Sequence, residues 1–570
     1  MPPASDVDLF APFERDVILE IRTSKMKTMP GLNIETGIDK RLRTGRIPVS
    51  FIGLDADEHD LVFHGGPDKA IHGYCCTHYP TWQKEFPEAS ARFGRGGFGE
   101  NFVTERMNER NVCIGDIVSV GDDGVLLQVS LPRQPCFKLN HRFQLKNFAP
   151  NTFKTSRTGW YYRVLREGTV QAGDEIRLVE RKWPKWTIER IQEYLHRTQD
   201  NAAMNEELAA ISEMGDESRK AFERRVEKLK AKKRREAAAL NGNGNEGKEI
   251  WRNFKIVEKK IQTPRITSFV LEAKNPDPEA SEVQLGSHAR LRLPNGLVRS
   301  YSIVSGTPSR FELGIALESA SRGGSSYLHN TAKEGDILQV GRVTTDVKPA
   351  GMSSNHVFIA GGIGITAFLS MLETYKKIHW DTTLHYGVRD AGTEAPFRAR
   401  IEDLKDSVNV KMYDGKKGER MDIQGIFENL PWNSHVYVCG PTRMMDEAAR
   451  VAKARGLGAD EVHFEAFGAD TTGDPFEVEV SPGPERREKG ENKVLNLQVG
   501  AEETLLEILK KHLGDDDVPS SCEVGNCGTC KVTLKSGRVD HRGTALMDDE
   551  KKDSMLSCVS RGIGKITIET

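Results

Sequence analysis

No stretch of this 570-residue chain approaches the ~20 consecutive apolar residues that a membrane span requires. Its start, Met1 to Arg15, is acidic and carries prolines, unlike a secretory or transit segment. Both absences point to a soluble protein of the cytoplasm. An excess of one charge is missing too: 81 basic against 83 acidic residues leave a formal net charge of -2. No global field therefore favours nucleic acid or an anionic membrane, and small molecules are the expected partners. Cysteine is sparse, nine residues in all, which excludes a disulfide framework and suits a reducing compartment. No internal repeat of fixed period is present. At the rough allowance of ~150 residues per domain, the length holds about four domains.

Four of the nine cysteines carry the strongest signal. Cys522, Cys527, Cys530 and Cys558 follow C-x4-C-x2-C, a long gap, then C, the ligand spacing of a plant-type [2Fe-2S] cluster. Gly525 and Gly528 permit tight backbone approach and turn N–H groups toward the sulfurs. A zinc site or buried structural thiols are the alternatives; the cluster reading makes the chain an electron carrier.

Composition divides the rest. Lys228 to Glu236 is a charge run, a polyanion patch or a solvated helix end. With Asn241-Gly242-Asn243-Gly244-Asn245 after it, residues 236–249 are predicted to be a flexible linker. Ser481-Pro482-Gly483-Pro484 marks a second break, so the cluster domain is predicted over 485–570. Residues 250–350 alternate polar and apolar in short runs and predict an antiparallel barrel. Within them Arg299-Ser300-Tyr301-Ser302 offers a cation, a ring and a hydroxyl for an isoalloxazine. Arg322-Gly323-Gly324-Ser325 offers a glycine turn for a phosphate. Residues 351–470 alternate strands and helices as a doubly wound α/β domain. Gly361-Gly362-Ile363-Gly364-Ile365-Thr366 reads as its phosphate turn before a helix. Cys439 is either a small core residue or, in Cys439-Gly440-Pro441 at a strand's carboxyl end, a border of the nicotinamide.

These motifs, in this order and with Val462-His463-Phe464-Glu465, resemble the phthalate dioxygenase reductase family. The resemblance implies an FMN barrel, an NAD domain and a C-terminal β-grasp ferredoxin. It implies FMN rather than FAD, and NADH ahead of NADPH, with Arg389 beside Asp390 leaving that preference open. Ala367 departs from the proline the family carries after the glycine turn, a change of small effect at a first helical turn.

The N-terminal third is rich in short strands and turns. His64-Gly65-Gly66-Pro67-Asp68-Lys69-Ala70 and Gly97-Phe98-Gly99-Glu100-Asn101-Phe102 are glycine turns. Leu131-Pro132-Arg133-Gln134-Pro135-Cys136-Phe137-Lys138 presents one thiol between cations that favour a thiolate ligand or nucleophile; the alternative is a buried strand cysteine. These segments resemble the MOSC family. The resemblance covers residues 1–181 as a MOSC β-barrel and 182–235 as the three-helix extension of a bacterial subgroup. It implies that Cys136 ligates the molybdenum of a pterin cofactor, and that His64, Asp68, Lys69, Asn101 and Arg133 line the pocket. Cys75, Cys76 and Cys113 are read as structural.

The parts compose one route. A hydride brings two electrons and an iron–sulfur cluster accepts one, so a flavin must stand between them. The expected path is NADH, FMN, [2Fe-2S], then molybdenum, ending in reduction of an N-hydroxylated or related N-oxygenated compound. Two alternatives stand: a reductase component for a separate oxygenase or other acceptor protein, with a regulatory MOSC domain, or a MOSC sulfur carrier in which Cys136 is a nucleophile.

Overall fold

The computed structural model describes residues 12–60, 65–240, 251–276, 282–318, 323–345, 351–458, 460–468, 471–488, 493–514, 517–520, 523–525, 528–543, 545–546 and 550–570. They divide into two compact units, residues 1–244 with 351–354 and residues 245–350 with 355–570. Among the described residues no helix is long and apolar enough to cross a membrane.

The first unit is built on β structure. One nine-stranded sheet runs, in spatial order, through Arg15–Val17, Glu175–Glu180, Ile117–Val120, Val125–Pro132, Trp160–Arg166, Ile71–Cys75, Phe102–Thr104, Glu20–Thr23 and Arg41–Arg43. Alternate side chains of these strands point one way, and Ile21, Ile71, Val118, Val129, Trp160 and Tyr162 meet in one core. Val170, Ile47, Val49 and Leu54 of a three-stranded sheet join the same core. Each such side chain contributes on the order of 1.5–3 kcal/mol by leaving water.

Helices follow. Thr187 caps Ile188–Gln192 by accepting from the Arg190 N–H, and Asn201 caps Ala202–Ala209 by accepting from that of Met204. Trp186, Ile191, Leu208, Ile211 and Phe222 give them a separate core. The third helix, Asp216–Leu240, runs five residues into the stretch predicted as linker. The cause is local: Glu236-Ala237-Ala238-Ala239-Leu240 are all strong helix formers. The asparagine and glycine run after it lies outside the described residues.

The second unit opens with a closed barrel of six antiparallel strands, Arg252–Thr263, Ile266–Ala273, Arg310–Ala316, Val298–Thr307, Ser287–Arg292 and Ile337–Thr345. A five-stranded parallel sheet follows in the order Asn409–Asp414, Thr382–Val388, Asn355–Gly361, Ser434–Cys439, Val462–Phe464. Its first strand is central and neighbours both the second and the fourth, so strand order reverses there. A crevice opens outside the carboxyl ends at such a point.

The cluster module corrects one predicted boundary. Phe476–Ser481 pairs in parallel with Arg561–Glu569 and antiparallel with Leu495–Val499, so this module begins at Phe476 and not at 485. Phe476, Val478 and Val480 bury alternately in its core with Leu505, Leu509 and Ile568. Pro482 and Gly483 therefore make a turn inside the module, where the Gly483 N–H donates to the Thr570 carbonyl. The helix Leu505–Leu513 starts on a capping box, Thr504 with Glu507.

Candidate functional site

The carboxyl ends of the parallel strands carry two glycine turns that touch. A Cβ on Gly364 would stand 2.3 Å from the Cys439 carbonyl and 3.2 Å from its Sγ, and one on Gly361 would stand 2.6 Å from Pro441 Cδ. Gly362, at φ +54, has open space beside it. These turns leave room for a dinucleotide over the crevice. Gly440 closes against Gly361, and Pro441 precedes the helix Thr442–Ala454. Cys439 is fully buried, and burial pushes its thiol well up, with the Glu465 carboxylate adding to the shift. It meets this crevice as a neutral thiol.

Two predicted nucleotide residues are placed differently. The Thr366 hydroxyl donates to the Ile363 carbonyl at 2.9 Å and ties the turn to itself. Arg389 ends the second strand exposed. Asp390 beside it accepts from Lys416 Nζ and the Gly392 N–H, both at 2.8 Å. The Lys416 ammonium, foremost, holds that carboxyl below the usual range.

The barrel meets the crevice through Ser302, whose hydroxyl donates to Glu465 Oε1 at 2.8 Å. Arg299, Ser300, Ser302, Glu465 and Cys558 line one cavity of about 1200 Å³. The predicted flavin motif and the last cluster cysteine thus share a wall. Arg299 also runs along the glycine turn: a Cβ on Gly324 would stand 3.2 Å from Arg299 Cγ and 3.3 Å from its Nε. Gly323 turns at φ +96, and Ser325 Oγ accepts the Glu318 N–H. Guanidinium and turn therefore stand together, a donor set fitted to a phosphate. Tyr301 does not line the cavity. Its ring packs against the barrel core, and burial pushes its hydroxyl up to about 12. Arg322 lies outside the described residues.

In the cluster loop, Cys530 Sγ and Cys558 Sγ are both buried and stand 3.1 Å apart, well beyond a disulfide bond. Gly525, at φ +80, is pressed so closely on Gly543 Cα that a Cβ would stand 2.8 Å away. That approach folds the loop back toward the two thiols. Cys522 and Cys527 lie outside the described residues.

In the first unit, Cys136, Arg133, Lys40, His59, His72 and Lys138 line a cavity of about 530 Å³. Cys136 precedes the helix Phe137–Phe143 in extended conformation, after a strand whose end is fixed by Arg133 N–H donating to Gly159 O. Arg133 is 5% exposed, and its Nη1 has no hydrogen-bond partner. His72 lies fully buried beside it; burial, then the Arg133 charge, hold its ring neutral well below the usual histidine range. Lys138 Nζ donates to Glu35 O and Asp60 Oδ2, each at 3.3 Å.

Sequence reasoning passed over Lys40, Asp57 and His59. Lys40 Nζ donates to both Asp57 oxygens, at 2.5 and 2.6 Å, and burial is the main influence lowering its pKa. His59 Nε2 lies 3.2 Å from Asp57 Oδ2, off the line a hydrogen bond needs. Asn101 lines the same cavity and is tied into this network: its Nδ2 donates to Asp57 Oδ2 and Arg22 O, and its Oδ1 accepts from the His72 N–H. Glu100 fixes the preceding glycine turn by accepting from Gly96 N–H, Phe98 N–H and the Tyr79 hydroxyl.

Asp68 and Lys69 do not line the cavity. Asp68 Oδ1 accepts from Arg163 Nε and Nη2 at 2.9 and 2.6 Å, and its Oδ2 accepts from the Asp216 N–H. Lys69 pairs with Glu217. Both residues bind the third helix of the extension to the sheet, a partner the local sequence did not reveal. His64 lies outside the described residues.

Comparison with known proteins agrees in outline. The MOSC domain model matches residues 60–177, the YiiM-like, 3-alpha helix domain model residues 186–229, and the 2Fe-2S iron-sulfur cluster binding domain model residues 491–561. A reductase of Gibberella moniliformis (strain M3125 / FGSC 7600) is 35% identical over 576 residues, spanning 97% of this chain and 95% of that one. Phthalate dioxygenase reductase of Burkholderia cepacia is 31% identical over 319 residues, 54% of this chain and 94% of its own. Among solved structures, YiiM from Geobacillus stearothermophilus is 32% identical and covers 37% of this chain and 99% of that chain, with a TM-score of 0.32.

Proposed function

The chain belongs to the phthalate dioxygenase reductase family through its flavin, nucleotide and cluster modules, with a MOSC domain ahead of them, and we propose that its electrons end at Cys136. Family membership makes it an iron–sulfur flavoprotein oxidoreductase with NAD(H), FMN and a [2Fe-2S] cluster. In this reading a molybdenum cofactor sits in the Cys136 cavity and an N-hydroxylated compound is its substrate. The N–O bond of the substrate breaks, two electrons from NADH and two protons are taken up, and the oxygen leaves as water.

The observation that carries the reading is the donor set. One thiol faces a cavity whose deeply buried Arg133 has an unpartnered N–H, with Lys138 and Lys40 on the same wall. Among the described residues no three His, Cys, Asp or Glu side chains gather to hold a metal, and in this reading Cys136 is the protein ligand. A soft thiolate with cations around it suits a metal whose remaining ligands come from an anionic pterin. The cofactor, when bound, supplies a centre that can take up two electrons in turn. Arg133 binds the anionic part of it, Cys136 anchors it, and the Asp57–Asn101 network holds the cavity wall.

On the reductase side, Cys439 and Ser302 border the space where hydride passes from nicotinamide to flavin, and Glu465 fixes Ser302. The FMN, when bound, receives the electron pair and releases it singly.

The test is anaerobic and uses the full chain with NADH and benzamidoxime. The parent should form the amidine and contain molybdenum. Cys136→Ala should lose both, while ferricyanide reduction continues at the parental rate. Equal amidoxime turnover by the two proteins would remove Cys136 from the reaction and leave the reductase serving an external acceptor.

A further inference from the structure

The residue directly after the first cluster cysteine is held from the flavin barrel. Glu523 follows Cys522 and adopts φ +58, a left-handed conformation that a side chain other than glycine takes only when its surroundings enforce it. The enforcement is visible at its carboxylate. Oε1 accepts from Lys510 Nζ at 2.7 Å, from Ser520 Oγ at 3.2 Å and from Arg290 Nη2 at 3.2 Å. Lys510 and Ser520 belong to the cluster module. Arg290 belongs to the barrel strand Ser287–Arg292, where it pairs across to Ser300, the neighbour of Arg299 in the flavin motif.

Arg290 is 6% exposed. Burial would raise the Glu523 carboxyl, but Lys510 and Arg290 outweigh it and hold the group ionised below the usual range. Glu523 is half-buried, its side chain 35% exposed, so the pair is buried on the Arg290 side, and loss of the carboxylate costs that buried guanidinium a charged partner. The pair therefore fixes the separation of the two surfaces it joins, and here those surfaces are the flavin strand and the cluster loop.

We propose that Glu523 is a positioning residue whose bridge to Arg290 sets the distance between the flavin site and the [2Fe-2S] loop, and with it the rate of single-electron transfer. In that step one electron leaves the reduced flavin and one ferric ion of the cluster becomes ferrous; no bond forms or breaks. Nothing in this depends on where the electrons go afterwards.

A purely electrostatic role for the same residues would behave differently, and the difference is measurable. Glu523→Gln removes a negative charge beside the cluster and raises its reduction potential. Arg290→Gln removes a positive charge and lowers it. If charge alone mattered, the first variant would transfer electrons faster and the second slower. If position matters, both are slower.

The experiment is stopped-flow absorbance on the full-length, flavin- and cluster-loaded chain mixed with NADH, together with potentials from titrations followed by electron paramagnetic resonance. The expected result is potentials moving in opposite directions while flavin-to-cluster transfer falls at least tenfold in both variants. A rate within twofold of the parent in either variant, or a faster rate in Glu523→Gln, overturns the proposal. Should Glu523→Gln fail to retain its cluster, Arg290→Lys decides instead, since it keeps the charge and loses the planar fork: charge alone predicts a rate within twofold of the parent, which overturns the proposal, and position predicts a rate at least tenfold slower.

Discussion

Mild acid should loosen the nucleotide-binding sheet before anything else in the second unit. His356 and His435 are the second residues of two adjacent central strands, Asn355–Gly361 and Ser434–Cys439, and pair in register at their amino ends. His356 is fully buried between the Trp380 and Tyr375 rings, and neither of its ring nitrogens has a hydrogen-bond partner. Burial lowers its pKa to about 3 and that of His435 to about 4. An unfolded chain titrates both near 6.5. Between pH 6.5 and those folded values the unfolded state binds protons that the folded state refuses, so stability falls as pH falls. Relative to pH 8, each of these two rings costs about 2 kcal/mol at pH 5 by this linkage, and His385 and His463 of the flanking strands, each lowered to about 4 chiefly by burial, add to the same loss. Against a domain stability of roughly 5–15 kcal/mol, the loss is large.

Hydrogen exchange read peptide by peptide, corrected for intrinsic rates, is the assay. Protection of 355–361 and 434–439 should drop by at least about 4 kcal/mol between pH 8 and pH 5, and His356→Phe should lessen that drop by about 2 kcal/mol. Equal protection at both pH values, or an unaltered slope in the variant, would refute the reasoning.

Three further outcomes follow from close contacts. Gly364→Ala puts a Cβ against the Cys439 carbonyl at 2.3 Å, backbone against backbone, so KM for NADH should rise at least tenfold with the cluster spectrum intact; a parental KM would contradict the crevice. Asp68→Asn should weaken the seat of the helical extension by about 1–3 kcal/mol, because the Asp216 N–H then donates to a neutral amide group and not to the carboxylate that Arg163 holds in place. Denaturant unfolding monitors that loss, and because Asp68 is outside the Cys136 cavity, metal content should not change; loss of metal in folded protein would return Asp68 to the pocket. Gly525→Ala meets Gly543 Cα and Val559 Cγ2, each at 2.8 Å, so iron content should collapse while flavin remains; full iron content would show the loop closes another way.

Some features were legible because they are local. The alternation in residues 250–350 is the barrel, and the glycine turn Gly361–Gly364 begins a helix after a buried strand. Others were misread for a physical reason. Ser481-Pro482-Gly483-Pro484 looks like a boundary because prolines stop a strand, yet a turn inside a module stops one equally well. Asp68 and Lys69 look like pocket residues beside a glycine turn, but a surface charge takes the partner that packing brings to it, here Arg163 and Glu217. Asn101 does line the Cys136 cavity, but its bonds to Asp57 and to the His72 N–H, which hold it there, are tertiary and were not legible.

The order of the modules, the cluster ligand spacing and the two glycine turns were already written in the linear chain, since each depends on residues within a few positions of one another. Which charges meet was not. Arg290 and Glu523 are 233 positions apart, and Asp57 gathers Lys40 and Asn101 from two other segments. A side chain's type declares what it can bond to, but only packing chooses the partner, because every other charge in the chain offers the same chemistry until the fold removes it from reach.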